Sequence, residues 1–258
     1  MNSLHFYKYQ GTGNDFIMLD NRSGEFHFDK NQIEQLCDRR FGIGADGLIL
    51  INNSKEHDFE MNYYNSDGSQ SFCGNGGRCA IAFAQFLGII KDNAVFSAID
   101  GVHSGIFHSE DKIELGMNPP SDFKEIGKDY FIHTGSPHYI SFCEDLSKQN
   151  IVELGKSIRY SEAFKNEGVN VNLVQQNEDS ISILTYERGV EDETFSCGTG
   201  ATAAVLVQAK LQSKKSGTTM VHVKGGELHV IWDSINAPFD LVKLVGPAKK
   251  VYEGNIQL

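Results

Sequence analysis

Two cysteines in this chain stand at the start of an apolar segment, where a thiol could act as an acid or a base. Cys73 precedes a run in which only Gln85 is polar from position 80 to 87, and Cys197 precedes a second largely apolar run. Segments of this composition predict helices that are buried on nearly all sides. The positive N-terminal end of a helix favours a thiolate over a thiol, and its unpaired N–H groups attract a carboxylate or phosphate.

The ends of both helices are also marked in the sequence. Gly88 is suited to end the first helix. Lys210, Lys214 and Lys215 are expected in the last turns of the second, where cations oppose the negative end of the macrodipole, and Gly217 is expected to close it.

Other landmarks recur at the spacing of the two cysteines, which lie 124 residues apart. The matched pairs, at offsets of 122 to 124 residues, are Thr12-Gly13-Asn14 with Thr134-Gly135-Ser136, Gly44 with Gly168, and Tyr64-Asn65 with Tyr186-Glu187. Glycine-rich turns before apolar helices are common enough to explain any one match, but they explain an ordered series poorly. The pattern therefore predicts an internal duplication, with one helix-start cysteine in each of two lobes.

The lobe boundary is expected at the double proline of Asn118-Pro119-Pro120-Ser121-Asp122, the only such pair in the chain. We expect an N-terminal lobe over residues 1–118, to which a segment of about 248–258 can return, and a C-terminal lobe over residues 119–247. Many short strands per helix indicate an α+β fold in which a mixed, mostly antiparallel sheet or barrel wraps each central helix. Two further helices are expected, one from Asp29 to about Cys37 and one from about residue 145 to 156.

The composition restricts the partners of the protein. A net charge of −11 without blocks of like charge argues against nucleic acid and anionic membrane, and no run of 18 apolar residues is present. Five cysteines without a C-x-x-C pair suit a reducing, cytoplasmic location and argue against a disulfide scaffold or a zinc ribbon. Cys37 is expected on the apolar face of the helix that begins at Asp29, as a residue of the protein core.

Three chemistries are open to a pair of helix-start cysteines: paired acid and base catalysis, a redox couple, or metal ligation. Metal ligation is the least favoured, because neither cysteine has a second Cys or His at ligand spacing. Dithiol motifs generally keep their partners close in the chain, although the sequence leaves a redox pair open. Paired catalysis is the sharpest hypothesis, since inversion of a stereocentre next to a carboxylate needs a base on one face and an acid on the other.

Further polar residues acquire roles under this hypothesis. The helix-start donors for a substrate carboxylate would be Gly74, Asn75, Gly198 and Thr199. The duplication brings to the same predicted cleft the loop residues Asn14, Asn65, Asn170, Glu187 and Arg188. Taken singly, a loop asparagine is more often a turn former and Glu187-Arg188 a solvated pair. His138 could tune a thiol, although a single histidine is more often structural.

Eight motifs together resemble the diaminopimelate epimerase family over nearly the whole chain. They are Gly-Thr-Gly-Asn-Asp-Phe (11–16), Gly-Ile-Gly-Ala-Asp-Gly (42–47), Tyr-Asn-Ser-Asp-Gly-Ser (64–69), Cys-Gly-Asn-Gly-Gly-Arg-Cys (73–79), Pro-His (137–138), Asn-Val-Asn (170–172), Glu-Arg-Gly (187–189) and Ser-Cys-Gly-Thr-Gly-Ala (196–201). The resemblance implies a two-lobed, generally homodimeric isomerase without pyridoxal phosphate, other cofactor or metal. Such an enzyme interconverts LL- and meso-diaminopimelate on the route to lysine and peptidoglycan.

The resemblance also implies roles for individual residues. Cys73 and Cys197 would be the catalytic pair, and His138 and Glu187 would tune the thiols. The implied substrate-binding residues are Asn14, Asn65, Gly74, Asn75, Asn170, Glu187, Arg188, Gly198 and Thr199.

The sequence departs from the family pattern at two positions near the implied site. Gly47 stands where many members carry a substrate-contacting Gln, and Ser136 replaces the usual Asn before Pro-His. Two alternatives stay open at this point. The first is a proline or hydroxyproline racemase of the same fold, whose first motif resembles Cys-Gly-His-Gly. The second is a non-catalytic thiol switch or ligand-binding module.

Overall fold

The computed structural model describes residues 3–234 and 239–257, which form two compact units. The first unit, here the N-terminal lobe, combines Met1–Leu115 with Gly246–Leu258. The second, here the C-terminal lobe, is Gly116–Val245. Each lobe contains its own central helix and its own set of paired strands.

The N-terminal lobe is built from short strands and two helices. Its strands are β1 (Ser3–Gly11), β2 (Asn14–Asp20), β3 (Gly47–Asn52), β4 (Phe59–Asn65), β5 (Asn93–Ala98), β6 (Gly101–Ser109), β7 (Lys112–Met117) and β17 (Lys249–Gln257). Its helices are α1 (Lys30–Cys37) and α2 (Gly74–Phe86). β17 pairs antiparallel with β1 along nearly its whole length, so the last residues of the chain complete the first lobe.

The C-terminal lobe repeats this plan. Its strands are β8 (Ser121–Ile126), β9 (Asp129–His133), β10 (Pro137–Cys143), β11 (Asn170–Gln176), β12 (Ser180–Glu187), β13 (Asp192–Thr194), β14 (Ser216–Val223), β15 (Gly226–Asp233) and β16 (Leu241–Gly246). Its helices are α3 (Ile151–Arg159) and α4 (Gly198–Leu211), and a 3-10 turn spans Leu146–Lys148.

Strand pairing demonstrates the duplication directly. In the N-terminal lobe the pairs β1–β2, β2–β3, β3–β4, β4–β5 and β5–β6 alternate between antiparallel and parallel. In the C-terminal lobe the pairs β9–β10, β10–β11, β11–β12, β12–β14 and β14–β15 alternate in the same order. The β2–β3 pairing begins at Phe16 and Gly47, and the corresponding β10–β11 pairing begins at His138 and Asn170. The two halves therefore share one topology, as the sequence predicts.

The two central helices have no exposed face over most of their length. Every residue of α2 from Gly74 to Ala84 is buried, and so is every residue of α4 from Gly198 to Ala209. Strands of the same lobe contact each helix, including β1 to β4 and β6 for α2, and β9 to β12, β14 and β15 for α4. Because these stretches of the two helices have no exposed face, strands of the sheet cover them on every side.

Each lobe also carries an outer helix on the other side of its sheet. Asp29 caps α1 in a capping box with Gln32, and its residues Ile33, Leu36 and Cys37 are buried against strand residues. Asn150 caps α3, which buries Ile151 beside Tyr139 and Tyr186. Cys37 is a core residue, as expected, and its burial raises the pKa of the thiol to about 12.

Three local expectations were wrong. The helix expected from residue 145 to 156 is a 3-10 turn followed by α3, because Asn150 takes an extended conformation and accepts the Glu153 N–H. Lys214 and Lys215 lie beyond the end of α4 at Leu211. Gly217 belongs to β14, where an added Cβ would lie 2.8 Å from the Trp232 ring, so close packing explains this glycine.

A substitution in α3 tests how tightly this helix packs. Gly155→Ala would place a Cβ 2.3 Å from Cγ of the buried Tyr186. An exposed helical site would gain roughly 1 kcal/mol from the same change, but overpacking here should lower the free energy of unfolding by about 1–3 kcal/mol. Urea denaturation measures it, with the exposed neighbour Lys156→Ala as control. A more stable Gly155→Ala protein would contradict this packing.

Candidate active site

Cys73 is the N-cap residue of α2. Its backbone is extended, at φ −125° and ψ 119°, and the Gly76 N–H lies 3.5 Å from its Sγ as a donor. The first turn of the helix contains no acidic residue. The thiol therefore meets the positive end of the macrodipole and a backbone N–H, both of which favour the thiolate.

Asn14 is brought beside Cys73 although 59 residues separate them. Its Nδ2 donates to Asp46 Oδ2 at 2.7 Å, which turns its Oδ1 towards Cys73 Sγ at 3.5 Å and Asn75 Nδ2 at 3.2 Å. Asp46 Oδ1 in turn forms an ion pair with Arg39 Nη2 at 2.7 Å. A charged network thus fixes the amide that lies next to the thiol. Asn14 is the first residue of β2, whereas we expected it in the preceding loop.

Arg78 is a buried cation of the same cluster for which the sequence analysis assigned no role. Its Nη2 donates to Asn75 Oδ1 at 3.0 Å and to Thr12 Oγ1 at 3.4 Å, and its other nitrogens donate to the carbonyls of Gly74 and Pro247. Burial lowers its pKa to about 10. A basic residue near a helix N-terminus is unfavourable to the macrodipole, and this was the signal that could have drawn attention to it.

Asn65 and Gly47 occupy the neighbouring strand pair β3–β4. The Asn65 side chain accepts from the Tyr63 hydroxyl at 2.9 Å and donates to Ser69 and Ser71. Among the described residues, no hydrogen bond joins it to Asn14 or Cys73. Close packing explains the glycine at position 47, because an added Cβ would lie 2.4 Å from the Tyr63 ring.

Cys197 is the N-cap residue of α4, with φ −121° and ψ 107°, close to the conformation of Cys73. Its Sγ lies 3.4 Å from Thr199 Oγ1, and Thr199 Oγ1 lies 2.9 Å from His138 Nε2. Thr134 Oγ1 donates to the Thr199 carbonyl, which anchors the first turn of the helix. The predicted residues His138, Cys197 and Thr199 are therefore in one hydrogen-bonded chain.

His138 is fully buried, and this burial lowers its pKa to about 3. Positive charge on His133 and Arg188 acts in the same direction. The imidazole next to Thr199 is therefore neutral throughout the physiological range.

Asn170 and Arg188 are joined within the C-terminal lobe. Asn170 is buried at the start of β11, and its Oδ1 accepts the Arg188 N–H at 2.8 Å. The exposed Arg188 also donates from Nη1 to the Glu167 carbonyl at 2.7 Å. Glu187 is half-buried at the end of β12. The predicted pair Glu187-Arg188 thus lies at the end of β12, next to the buried side-chain amide of Asn170.

The remaining sequence predictions concern backbone groups and other ligands. Gly74, Asn75, Gly198 and Thr199 all lie in the first turn of their helices and are buried. Ser136 accepts the Thr134 N–H through its carbonyl at 3.1 Å. Residues 3–234 and 239–257 contain no group of three or more His, Cys, Asp or Glu that could hold a metal ion. None of the helices in these ranges is both long and apolar enough to cross a membrane.

Comparison with solved structures defines the class of fold. The structure of a phenazine biosynthesis protein of the PhzF family from Bacillus anthracis matches with a TM-score of 0.78 at 13% identity, covering 100% of both chains. A hydroxyproline epimerase from Agrobacterium vitis matches with a TM-score of 0.74 at 12% identity, covering 99% of this chain and 93% of that one. At these identities the likeness concerns the fold, and it confirms the predicted two-lobed α+β class.

Sequence comparison identifies the family within this class. The model of the diaminopimelate epimerase family matches residues 6–121 and 130–251. A diaminopimelate epimerase from Flavobacterium psychrophilum is 48% identical over 256 residues, which cover 98% of this chain and 100% of the relative. The chain belongs to the diaminopimelate epimerase family. Membership confirms the resemblance found in the motifs and, with it, the predicted isomerase class.

The neutral state of His138 has a measurable effect on stability. The unfolded chain binds a proton at His138 below its ordinary pKa of 6.5, whereas the folded chain does so only near about 3. This residue should therefore lower the unfolding free energy by ~1.4 kcal/mol for each pH unit between these values as the pH falls. Above the unfolded pKa it contributes no pH dependence.

Denaturation of wild type and His138→Gln at pH 7.5 and 5.5 would isolate this contribution. We expect the stability difference between the two proteins to move in favour of the variant at the lower pH. Parallel pH profiles would show that His138 titrates alike in the folded and unfolded chains.

Proposed function

We propose that this protein is a two-base epimerase that interconverts LL- and meso-diaminopimelate through Cys73 and Cys197, without a cofactor. The main support is the repeated cysteine geometry. Both residues cap a buried helix in nearly the same extended conformation, and each Sγ lies within 3.5 Å of a polar side chain, Asn14 in one case and Thr199 in the other.

Two such thiols match the requirements of inversion at an α-carbon. One cysteine, as thiolate, takes the α-proton, and the other, as thiol, donates a proton to the opposite face of the resulting carbanion. The reverse reaction exchanges their roles. A helix N-terminus supports both roles, because it lowers the cost of the thiolate without adding a competing acid.

The negative charge that builds up next to the α-carboxylate must be stabilised. The helix-start N–H groups of Gly74, Asn75, Gly198 and Thr199 are the proposed donors. The burial of all four residues supports this role, since such donors act more strongly when water is excluded.

The distal end of the substrate carries a second ammonium and a second carboxylate. The proposed partners are Glu187 for the ammonium and Arg188 for the carboxylate, together with the amides of Asn14, Asn65 and Asn170. The bond between Asn170 and the Arg188 backbone supports a common site for these two residues. We assign thiol tuning to His138 and Glu187.

The proposal includes the setting of the enzyme. We place it in the cytoplasm as a homodimer that supplies lysine and peptidoglycan precursors. One cysteine is assigned to each lobe, with the functional boundary near Asn118 and the last residues counted with the N-terminal lobe. A proline-type racemase is not favoured, because the likeness to the hydroxyproline epimerase concerns the fold alone.

Single substitutions test the two-base assignment. Cys73→Ala and Cys197→Ala should each lower kcat by about a hundredfold or more, because one thiol cannot serve both faces of the substrate. Cys143→Ala, at a half-buried thiol on β10, is the matched control and should keep wild-type turnover. Circular dichroism checks that each variant is folded. Near-normal turnover of either catalytic variant would overturn the assignment.

Solvent labelling tests the reaction itself. LL-diaminopimelate incubated with the protein in deuterated water, without pyridoxal phosphate or metal, should yield meso product with deuterium at the inverted α-carbon. Each inversion imports one label because the donating thiol exchanges its proton with solvent. Mass spectrometry after chiral separation measures the incorporation.

Proline is the control substrate in this assay. It should stay unlabelled, because it has no second charged end for Glu187 and Arg188 to bind. Labelling of proline alone would move the protein to the racemases. Labelling of neither compound by a folded, reduced sample would favour a non-catalytic role.

A further inference from the structure

Asn172 is a fully buried polar residue next to the first turn of α4. It is on β11, and its Nδ2 is 3.1 Å from the Tyr139 carbonyl, 3.3 Å from the Asn170 carbonyl and 3.1 Å from His138 Nδ1. Its Oδ1 accepts from Thr185 Oγ1 at 3.0 Å. All of the polar atoms of this side chain are thus engaged, although no substrate role falls to it.

These neighbours fix the orientation of the Asn172 amide. A flipped amide would turn Oδ1 towards the Tyr139 and Asn170 carbonyl oxygens, which cannot donate a hydrogen bond to it. The NH₂ group must therefore face His138. Since an amide nitrogen cannot accept, a proton on His138 Nδ1 would point at a donor, which favours the neutral tautomer that carries its proton on Nε2.

The direction of the remaining bonds follows from this tautomer. In this tautomer His138 Nε2–H donates to Thr199 Oγ1 at 2.9 Å, which leaves the Thr199 hydroxyl hydrogen available to Cys197 Sγ at 3.4 Å. We propose that Asn172, held by Thr185, is a positioning residue that sets this relay so that Cys197 is the hydrogen-bond acceptor, a thiolate, in the substrate-free protein.

The proposal deepens the proposed function, since it names the resting base of the two-cysteine pair. It also explains Gly200 in the first turn of α4, where an added Cβ would lie 2.5 Å from Asn172 Oδ1. The charged groups that act on His138 are His133 and Arg188. Both oppose protonation of the ring, so they preserve the neutral form that the relay requires.

The first experiment reads the tautomer in the wild-type protein without substrate. In protein labelled with ¹⁵N-histidine, long-range proton–nitrogen correlation distinguishes a protonated ring nitrogen from a bare one, and His138→Gln assigns the signal. We expect a protonated Nε2 and a bare Nδ1. A protonated Nδ1 would reverse every bond of the relay and overturn the proposal.

The second experiment reads the thiol. Iodoacetamide alkylation of Cys197 is followed across pH by peptide mass spectrometry, with Cys73 as reference in the same molecule. Asn172→Ala leaves both tautomers of His138 accessible, so we expect alkylation of Cys197 below its midpoint pH to slow by about tenfold, equivalent to about one pKa unit. The alkylation of Cys73 should not change.

Matched variants separate the relay from a loss of packing. Asn21→Ala truncates another buried asparagine, in the N-terminal lobe, and should leave Cys197 unaffected. Thr199→Val should slow the alkylation of Cys197 as Asn172→Ala does. Thr199→Ser keeps the hydroxyl and should give the wild-type dependence of Cys197 alkylation on pH. If Asn172→Ala does not fold, the Thr199 pair and the wild-type tautomer decide the question.

An unchanged Cys197 profile in folded Asn172→Ala or in Thr199→Val would refute the relay. None of these measurements uses substrate or turnover. If these measurements give the expected results but solvent labelling fails, the relay stands and the proposed epimerase function is wrong. If solvent labelling succeeds but these measurements fail, the epimerase function stands and the relay is wrong.

Discussion

The burial of a helix without a polar face is the constraint on which the rest of this structure depends. Each central helix must be covered by sheet along its length. Polar side chains therefore contact it mainly at its N-terminus, where the backbone N–H groups lack partners within the helix. Neighbours pack tightly against the first turn of α2: an added Cβ at Gly76 would lie 3.1 Å from Ile49 Cδ1, and at Gly77 3.0 Å from Leu115 Cδ2. Packing thus favours small residues in this turn.

Duplication supplied two such helix starts, and their surroundings then diverged. In the N-terminal lobe the thiol lies beside amides oriented by charged residues, Asn14 by Asp46 and Asn75 by Arg78. In the C-terminal lobe the thiol lies beside a hydroxyl oriented by a neutral histidine. Equivalent backbone geometry therefore holds thiols in different electrostatic environments. This suits a reaction in which one thiol must be ionised while the other is protonated.

The sequence was sufficient for features that depend on local pattern. The central helices, the helix cap at Asp29, the strand-rich two-lobed class and the positions of both cysteines follow from periodicity, glycine placement and the repeat. The roles of Arg78 and Asn172 could not be found in this way. Their partners, such as Pro247 and Thr185, come close only through tertiary pairing, and a single buried polar residue carries no periodic signal. The end of α4 was missed because strand β14 takes up Gly217 for its packing against Trp232.

A neutral histidine suits the Cys197 environment better than a charged one would. An imidazolium beside Thr199 would stabilise the thiolate strongly, and a thiolate of very low pKa is a weak base for a proton on carbon. Burial of His138 removes that charge but keeps its Nε2–H, so the relay fixes the direction of the hydrogen bonds with only a modest effect on basicity. The cost of burying a polar ring is offset by its bonds to Asn172 and Thr199. Under the proposed relay, tuning by hydrogen-bond direction therefore favours the Cys197 thiolate without a full positive charge beside it, so the thiolate stays basic enough to take an α-proton.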